Sequence, residues 1–235
     1  VLDGLRTRFS FAEGRAGAAE PMPPGAAVAR LPLFAFVFGE QLSTSFIPLY
    51  GRQLAGPGAE PWLAALPITV FVAAVALATP FGGRLVAKHG VRAGILWGAV
   101  PALLGHVGCA LAGSVAEFAA ARALTGVGYA VVTIACQVYL AEVALTGRLA
   151  RSLGGFTGAV MTGAVCGTAM GAVFADRIGY AGTFLLSALL VLAVQLGAWR
   201  SLPGRPGAPP GQGRAHEGSL LADAVRFFRN LRFSS

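Results

Sequence analysis

Apolar residues in this chain are gathered into six long blocks separated by short polar segments. Each block is close to the ~20 residues that an α-helix needs to cross the hydrocarbon core of a bilayer. We therefore predict an all-α fold with six membrane-spanning helices. The predicted spans, numbered 1 to 6, cover residues 31–50, 62–81, 93–112, 115–140, 153–175 and 180–199.

The ends of the chain differ from these blocks. Residues 1–30 are polar, rich in Pro, Gly and Ala, and lack the apolar core of a secretory signal. Residues 201–235 begin with a Pro- and Gly-rich linker and continue into a predicted amphipathic helix whose arginines suit a membrane surface. We divide the chain into a polar cytoplasmic arm (1–30), a membrane bundle (31–200) and a cytoplasmic C-terminal segment (201–235).

Composition supports this division. The chain is 55% hydrophobic and 12% charged, with a mean hydropathy of +0.68, which excludes an ordinary soluble domain. Its net charge of +8 first suggests a nucleic-acid partner. With the N-terminus inside, however, 15 of the 18 Lys and Arg residues fall on the cytoplasmic side, which is the positive-inside pattern of membrane proteins.

We therefore expect a multi-pass protein of the bacterial cytoplasmic (inner) membrane, in contact with lipid, with both ends cytoplasmic and with no nucleic-acid partner. The preference for Arg over Lys and the abundance of Ala and Gly are typical of a GC-rich bacterial gene.

A short internal repeat relates loop 2–3 to the turn between spans 5 and 6. The matched residues are 89 positions apart: Gly82 with Gly171, Lys88 with Arg177, and Gly90 with Gly179. The match indicates two related three-helix units.

Two motifs carry a family resemblance. Loop 2–3 reads Gly83-Arg-Leu-Val-Ala-Lys-His-Gly-Val-Arg92, and span 4 contains Arg122-Ala-Leu-Thr-Gly126-Val-Gly128. They resemble the loop 2–3 and span 4 signatures of the major facilitator superfamily. The resemblance implies two inverted three-helix repeats in each half of a twelve-span fold. It also implies that this chain is the N-terminal half, a fragment whose partners are a small-molecule solute and the missing C-terminal half. Residues 201–235 would then be the cytoplasmic central loop that leads to that missing half.

Loop 2–3 has a physical reason for its residues. Gly83 would allow a close helix approach and Gly90 a tight turn, while Lys88 and Arg92 would hold the loop at the cytoplasmic face. In the family an Asp of a conformational charge network stands where this chain has Ala87. Asp176 fills the equivalent place in the second repeat.

Span 5 has a small residue at every fourth position: Gly155, Ala159, Gly163, Gly167 and Gly171. Small residues permit close helix packing in lipid, and Gly126 and Gly128 suggest the same for span 4. The three later glycines also resemble the family's antiporter pattern, which slightly favours efflux or antiport. Thr168 and Ala172 depart from that pattern.

Span 4 carries a polar stripe. Helical spacing places Arg122, Gly126, Tyr129 and Thr133 on one face, with Gln137 close by. An Arg inside a span is a functional candidate that faces the substrate pathway. The alternative is an Arg that snorkels to the outer surface.

Span 1 carries Glu40 near its middle, on a broad face shared with Gln41, Thr44 and Pro48. A lone carboxylate in hydrocarbon must pair, take up a proton or face water. One interpretation is a proton-titrating or substrate-contacting group. The other is a structural hydrogen-bond partner for another helix, for example through Arg122.

The remaining polar residues suggest no catalysis. His106 in span 3 is interpreted as a hydrogen-bonded packing residue rather than a proton relay, and His89 and His216 lie in a loop and a linker. The histidines and the three cysteines suggest no metal site or disulfide framework. There is no phosphate loop and no catalytic triad, so we expect neither an enzyme nor a cofactor.

We predict transmembrane solute transport by alternating access, secondary active and coupled to protons. The alternative is a transporter-like sensory or anchoring module of a signalling protein. An intramembrane enzyme is disfavoured because no nucleophile and base are paired at membrane depth.

Overall fold

A computed structural model describes residues 24–143 and 149–201, whose regular elements are all helices joined by short turns, with no strand among them. Five α-helices and one short 3-10 helix follow one another along the chain. They are α1 (Pro24–Gln41), α2 (Ile47–Ala55), the 3-10 helix (Pro61–Ala64), α3 (Leu66–Leu111), α4 (Val115–Val143) and α5 (Leu149–Ser201).

Predicted span 1 is not one helix. Helix α1 ends at Gln41, residues 42–46 form turns, and α2 begins at Ile47. Pro48 lies in the first turn of α2. Proline has no N–H to donate and its ring disfavours the helical backbone before it, so a helix tends to begin at this point. The break places Glu40 at the end of α1, next to residues with irregular backbone.

Predicted spans 2 and 3 lie in the 46-residue helix α3, which is interrupted at Gly90 (φ 85°, ψ 166°). Residues 66–89 and 91–111 form two antiparallel arms. The evidence is that Gly82 and Gly98, which are equally far from Gly90 along the chain, both contact Val131 of α4. Gly90 therefore closes a helical hairpin with a single residue in a conformation that favours glycine.

Predicted spans 5 and 6 lie in the 53-residue helix α5, which is interrupted in the same way at Gly179 (φ 75°, ψ 172°). Both arms pack on the first predicted span: Gly163 against Phe34 and Phe38 of α1, and Phe184 against Phe46 of the turn after α1. Helix α1 thus packs mainly on the α5 hairpin, whereas the α3 hairpin packs mainly on α4 and on α5.

By length and composition, three helices qualify as membrane-spanning: Leu66–Leu111, Val115–Ala141 and Leu153–Ala198. The described residues therefore form five α-helices instead of six separate spans, since two of the helices each contain two of the predicted blocks. The outer surface is apolar: Leu77, Trp97 and Leu189 expose 71%, 65% and 61% of their surface. Such a surface suits lipid contact.

Several glycines allow close helix packing inside the bundle. A Cβ added at Gly163 would lie 3.0 Å from the Phe34 carbonyl oxygen, one at Gly167 would lie 2.6 Å from that of Phe38, and one at Gly171 would overlap that of Leu42. Gly163, Gly167 and Gly171 of span 5 thus face α1 and the residue that follows it.

Gly126 and Gly128 play the corresponding part on α4, where added Cβ atoms would lie 2.6 Å from Phe71 O and 2.5 Å from Ala102 N of α3. At Gly83 the structure differs from the expectation, because an added Cβ would meet nothing within 4 Å. The close approach expected at Gly83 is made by its neighbour Gly82.

Candidate functional site

A layer of buried polar side chains crosses the middle of the apolar bundle. Two hydrophobic clusters lie on either side of it, one containing Val37, Ala102, Val132 and Val191 and the other Phe46, Cys109, Phe118 and Phe184. Between these positions, α1, α3, α4 and α5 each contribute a polar residue: Glu40, His106, Arg122 and Ser187, all at most 2% exposed. We call these four residues and Ser43 the polar layer.

Glu40 and His106 form a direct pair within the layer. The Nε2 atom of His106 lies 3.0 Å from Oε1 of Glu40, and the side chains are 0% and 1% exposed. The contact joins the end of α1 to the second arm of α3. Burial of a carboxylate costs little only when it is paired and hydrogen-bonded, so this contact stabilises the position of Glu40.

Arg122 of α4 lies beside this pair. It is 2% exposed, so the side chain does not snorkel to the surface. Its Nη1 donates to Ser43 Oγ at 3.4 Å, and its guanidinium carbon lies 4.3 Å from the centre of the Phe71 ring. Ser43 Oγ in turn donates to the Glu40 carbonyl oxygen at 3.3 Å. Glu40 is therefore linked to Arg122 through Ser43, while its carboxylate bonds His106 instead of the Arg122 partner considered from the sequence.

Four polar atoms of the layer have no hydrogen-bond partner among the described residues. They are Glu40 Oε2, His106 Nδ1, Arg122 Nε and Ser187 Oγ. Each unpaired buried donor or acceptor lowers the stability of the fold by about 1–3 kcal/mol. The layer is therefore suited to take up a proton or water molecules.

An aromatic layer closes the bundle on one side of these residues. It contains Phe46, Tyr50, Phe118, Tyr180 and Phe184, whose neighbouring rings lie 5.0 to 6.0 Å apart. Phe184 also lies 6.5 Å from the His106 ring. This packing separates the polar layer from the polar segment that follows α2.

The remaining residues of the predicted pathway are spread over other surfaces. Thr44 Oγ1 donates to Gln41 Oε1 at 2.5 Å, and both side chains are half-buried. Tyr129 stacks on Phe36, and Thr133 bonds the carbonyl oxygen of Tyr129 at 2.7 Å. Gln137 is exposed. The stripe predicted on span 4 thus runs from the buried Arg122 to the surface at Gln137.

In loop 2–3, Gly90 makes the turn, Lys88 is exposed and Arg92 is half-buried. Ala87 and its repeat counterpart Asp176 are both exposed, each on the last turn before a hairpin glycine. In loop 4–5, residues 144–148 lie outside the described part of the chain.

His106 is the site residue that sequence reasoning underestimated. One signal was present: Glu40 and His106 both lie near the middle of their predicted spans and so at similar depth. Depth alone does not reveal which way a helix is rotated, so the contact required the structure.

The chain matches the family described as Major Facilitator Superfamily over residues 32–233. A protein from Arabidopsis thaliana named "Probable plastidic glucose transporter 1" is 29% identical over 146 residues, covering 61% of this chain and 26% of that protein.

Solved structures of a peptide transporter POT mutant in complex with sulfate and with alafosfalin are similar, with TM-scores of 0.68 and 0.65. A POT family transporter in complex with a thioalcohol-conjugated peptide has a TM-score of 0.66. All three are 17% identical, so the likeness concerns the fold. They cover 89% to 90% of this chain, which spans only 46% to 47% of theirs.

Proposed function

The chain belongs to the major facilitator superfamily, and from this premise we propose that it forms one wall of a secondary active transporter that exchanges a small solute for protons. Membership of this family makes it a multi-pass membrane protein concerned with solute transport. The observation that carries the finer proposal is the fully buried Glu40–His106 pair with Arg122 beside it. Ionisable groups are costly at membrane depth and commonly mark ion or proton pathways.

We propose that the membrane region comprises six spans in two inverted repeats, with α3 and α5 each crossing twice. The contacts support a relation by 89 residues. Gly82 packs on Val131, and the corresponding Gly171 packs on Leu42. An added Cβ at Gly128 would lie close to the carbonyl oxygen of Gly98, and the corresponding pair is Gly39 and the carbonyl oxygen of Ser187. Gly90 and Gly179 obey the same offset and share one backbone conformation.

A second six-span bundle is the proposed partner. Two matching stripes on the first arms of α3 and α5 are exposed: Thr69, Ala73, Ala76 and Pro80, and, 89 residues later, Gly158, Thr162, Val165 and Ala169. Mostly small residues on an exposed helix face favour contact with another helix in lipid. The solute would pass between the two bundles by alternating access, with Tyr129, Thr133 and Gln137 of α4 and with Gln41 and Thr44 near the path.

We propose that both ends lie in the cytoplasm of a bacterium and that the Gly90 hairpin faces the same side. The helix directions place Arg84, Lys88, Arg92 and Arg200 towards one face of the bundle, whereas Arg52 and Arg177 lie towards the other. This distribution agrees with the positive-inside rule. Exchange is favoured over symport by the glycines of span 5.

The experiment is solute flux in proteoliposomes that contain the full-length protein. Labelled glucose and labelled dialanine represent the solute classes named for the relatives, and further solutes extend the panel. We expect an inside-acid pH gradient to drive accumulation and a protonophore to abolish it. Accumulation driven only by an outside-acid gradient would indicate symport, and flux that ignores the gradient for every solute would contradict proton coupling.

A further inference from the structure

Within the proposed proton-coupled transport, we infer that the proton is bound by Glu40 and His106 together, with His106 as a proton acceptor. The two residues belong to α1 and to the second arm of α3, and their contact is sealed from solvent. The inference assigns a chemical role to a histidine that the family motifs do not include.

The hydrogen bond determines where a proton can be added. An ionised carboxylate only accepts hydrogen bonds, so with Glu40 ionised the Nε2 of His106 must carry the hydrogen shared over 3.0 Å. The other ring nitrogen, Nδ1, then has a free lone pair. Nδ1 is buried and has no partner among the residues that the structure describes. It is therefore a proton-accepting position inside an otherwise apolar bundle.

A second accepting position is Oε2 of Glu40, which is also buried and without a partner in the described ranges. The pair thus offers two acceptors on either side of one shared hydrogen. When a proton binds at Nδ1, transfer of the shared hydrogen from Nε2 to Oε1 would give a neutral ring protonated at Nδ1 and a neutral carboxylic acid, so either residue can hold the added proton.

The charges around the pair disfavour uptake of more than one proton. The titratable or charged neighbours of Glu40 are Cys109 on α3 and Arg122 and Tyr129 on α4. Beyond them, Tyr50 of α2 donates to the Ala112 carbonyl oxygen, and the buried polar residues of the second arm of α5 are the uncharged Thr183 and Ser187. With Glu40 ionised, Arg122 charged and His106 neutral, the polar layer has no net charge.

A bound proton therefore leaves one uncompensated positive charge in the apolar core. Charge in such surroundings is unfavourable, so the protonated pair should prefer a more hydrated conformation of the protein. This preference would couple proton binding to the conformational change of transport, because α1 and α3 meet at the pair.

The competing explanation is that the Glu40–His106 hydrogen bond is purely structural, and the two explanations predict different behaviour of His106→Gln. Glutamine at position 106 retains an N–H donor for Glu40 but accepts no proton. If the bond is only structural, His106→Gln should behave like wild type. If His106 accepts the proton, the variant should keep the fold and lose the proton response.

The experiment is ¹⁵N nuclear magnetic resonance of histidine-labelled full-length protein in lipid nanodiscs, titrated between about pH 5 and 9, the range in which histidines usually change charge. The chain has three histidines. The signal that is missing from the spectrum of His106→Gln belongs to His106. If that variant does not fold, the signals missing from His89→Gln and His216→Gln identify the other two histidines, and the remaining signal is that of His106. We expect a neutral ring protonated at Nε2 at high pH, a doubly protonated ring at low pH, and a loss of that transition in Glu40→Gln.

A His106 signal that keeps one neutral form over the whole range, in wild type and in Glu40→Gln, would overturn the inference. The flux assay separates this failure from failure of the proposed function. Coupled flux with a silent His106 refutes only the pair. A titrating His106 without pH-driven flux refutes proton-coupled transport and leaves the paired site in place.

Discussion

Arg122 is a buried cation whose contacts in the described part of the chain are a serine hydroxyl and an aromatic face. Neither partner carries a full negative charge, so the guanidinium is placed at a cost in stability. Buried charges retained at such a cost commonly have a functional reason. The same argument applies to Glu40, whose carboxylate is bonded by His106 alone among the residues that the structure describes.

We predict that Arg122→Met reduces transport strongly without reducing thermal stability. Replacement of a buried ion pair by apolar residues of similar volume is often neutral or stabilising, by up to ~1–4 kcal/mol, and we expect the same here because the guanidinium donates to Ser43 and not directly to a carboxylate of the described residues. Arg122→Lys should restore transport only in part, because lysine lacks the planar fork that reaches Ser43 while covering Phe71. The measurements are solute flux and the melting temperature of purified protein. A large fall in melting temperature with normal flux would show that Arg122 is structural.

Sequence identified Glu40 and Arg122 as ionisable groups in spans because charge in an apolar block is visible in one dimension. It did not identify their partners. Whether the Glu40 carboxylate bonds Arg122 or His106 depends on how the helices are rotated about their axes. Serine and histidine within a span are common packing residues, so neither Ser43 nor His106 stood out in the sequence. A pairing over 66 residues of sequence therefore needed the structure.

Glycines control both turning and packing of the helices, and their roles can be separated. Gly90 and Gly179 have positive φ and close hairpins, whereas Gly83 lies within a helical arm and has open space around it. The spacing of apolar blocks predicted a loop at Gly90, but the structure needs only one residue to reverse direction. The break before Pro48 was missed because residues 31–50 were interpreted as one span despite Ser43, Thr44 and Ser45 within it.

We predict opposite effects for two substitutions in the loop 2–3 motif. Gly90→Ala should destabilise by about 1–3 kcal/mol, because the combination of positive φ and extended ψ at this position is strained for any residue with a Cβ. Gly83→Ala should stabilise by roughly 0.5–1 kcal/mol, because alanine is the better helix former and meets no neighbour. Denaturant unfolding in mixed micelles compares the two variants. Equal effects would mean that the Gly90 conformation is not what closes the hairpin.

Close packing of α5 on α1 gives the next prediction. Gly163→Leu and Gly167→Leu should each destabilise the bundle by about 1–3 kcal/mol or more, since the added atoms would collide with α1 backbone. Gly197→Leu is the matched control, because position 197 is exposed on the same helix and an added Cβ meets nothing within 4 Å. Resistance to proteolysis is the readout. If all three variants resist like wild type, the glycine contacts do not hold α5 to α1.

The whole bundle has an apolar outer surface, an interior polar layer and cationic residues towards one face. Sequence predicted the membrane-spanning class, because the lengths and composition of the apolar blocks are set by the bilayer. It predicted the hairpin between spans 5 and 6 less directly, through the short match to loop 2–3. Which side chains enter the interior could not be predicted, since nearly all positions in these blocks are apolar.

Topology is tested by cysteine labelling in a background without the three native cysteines. Gly58→Cys and Ile178→Cys, both at exposed positions, should react with an impermeant maleimide from outside the cell. Ala87→Cys, also exposed, is the matched site expected to react only from the cytoplasm. Labelling in the reverse sense would invert the proposed orientation.

The most direct measurement is pH-gradient-driven flux in Glu40→Gln, made in the full-length protein with expression and fold verified. Glu60→Gln is the control, because Glu60 is exposed and its side chain makes no helix-capping bond. We predict that Glu60→Gln accumulates solute like wild type. Glu40→Gln should lose accumulation driven by the gradient while still exchanging labelled for unlabelled solute. Wild-type, pH-coupled accumulation in Glu40→Gln would contradict a proton site at Glu40.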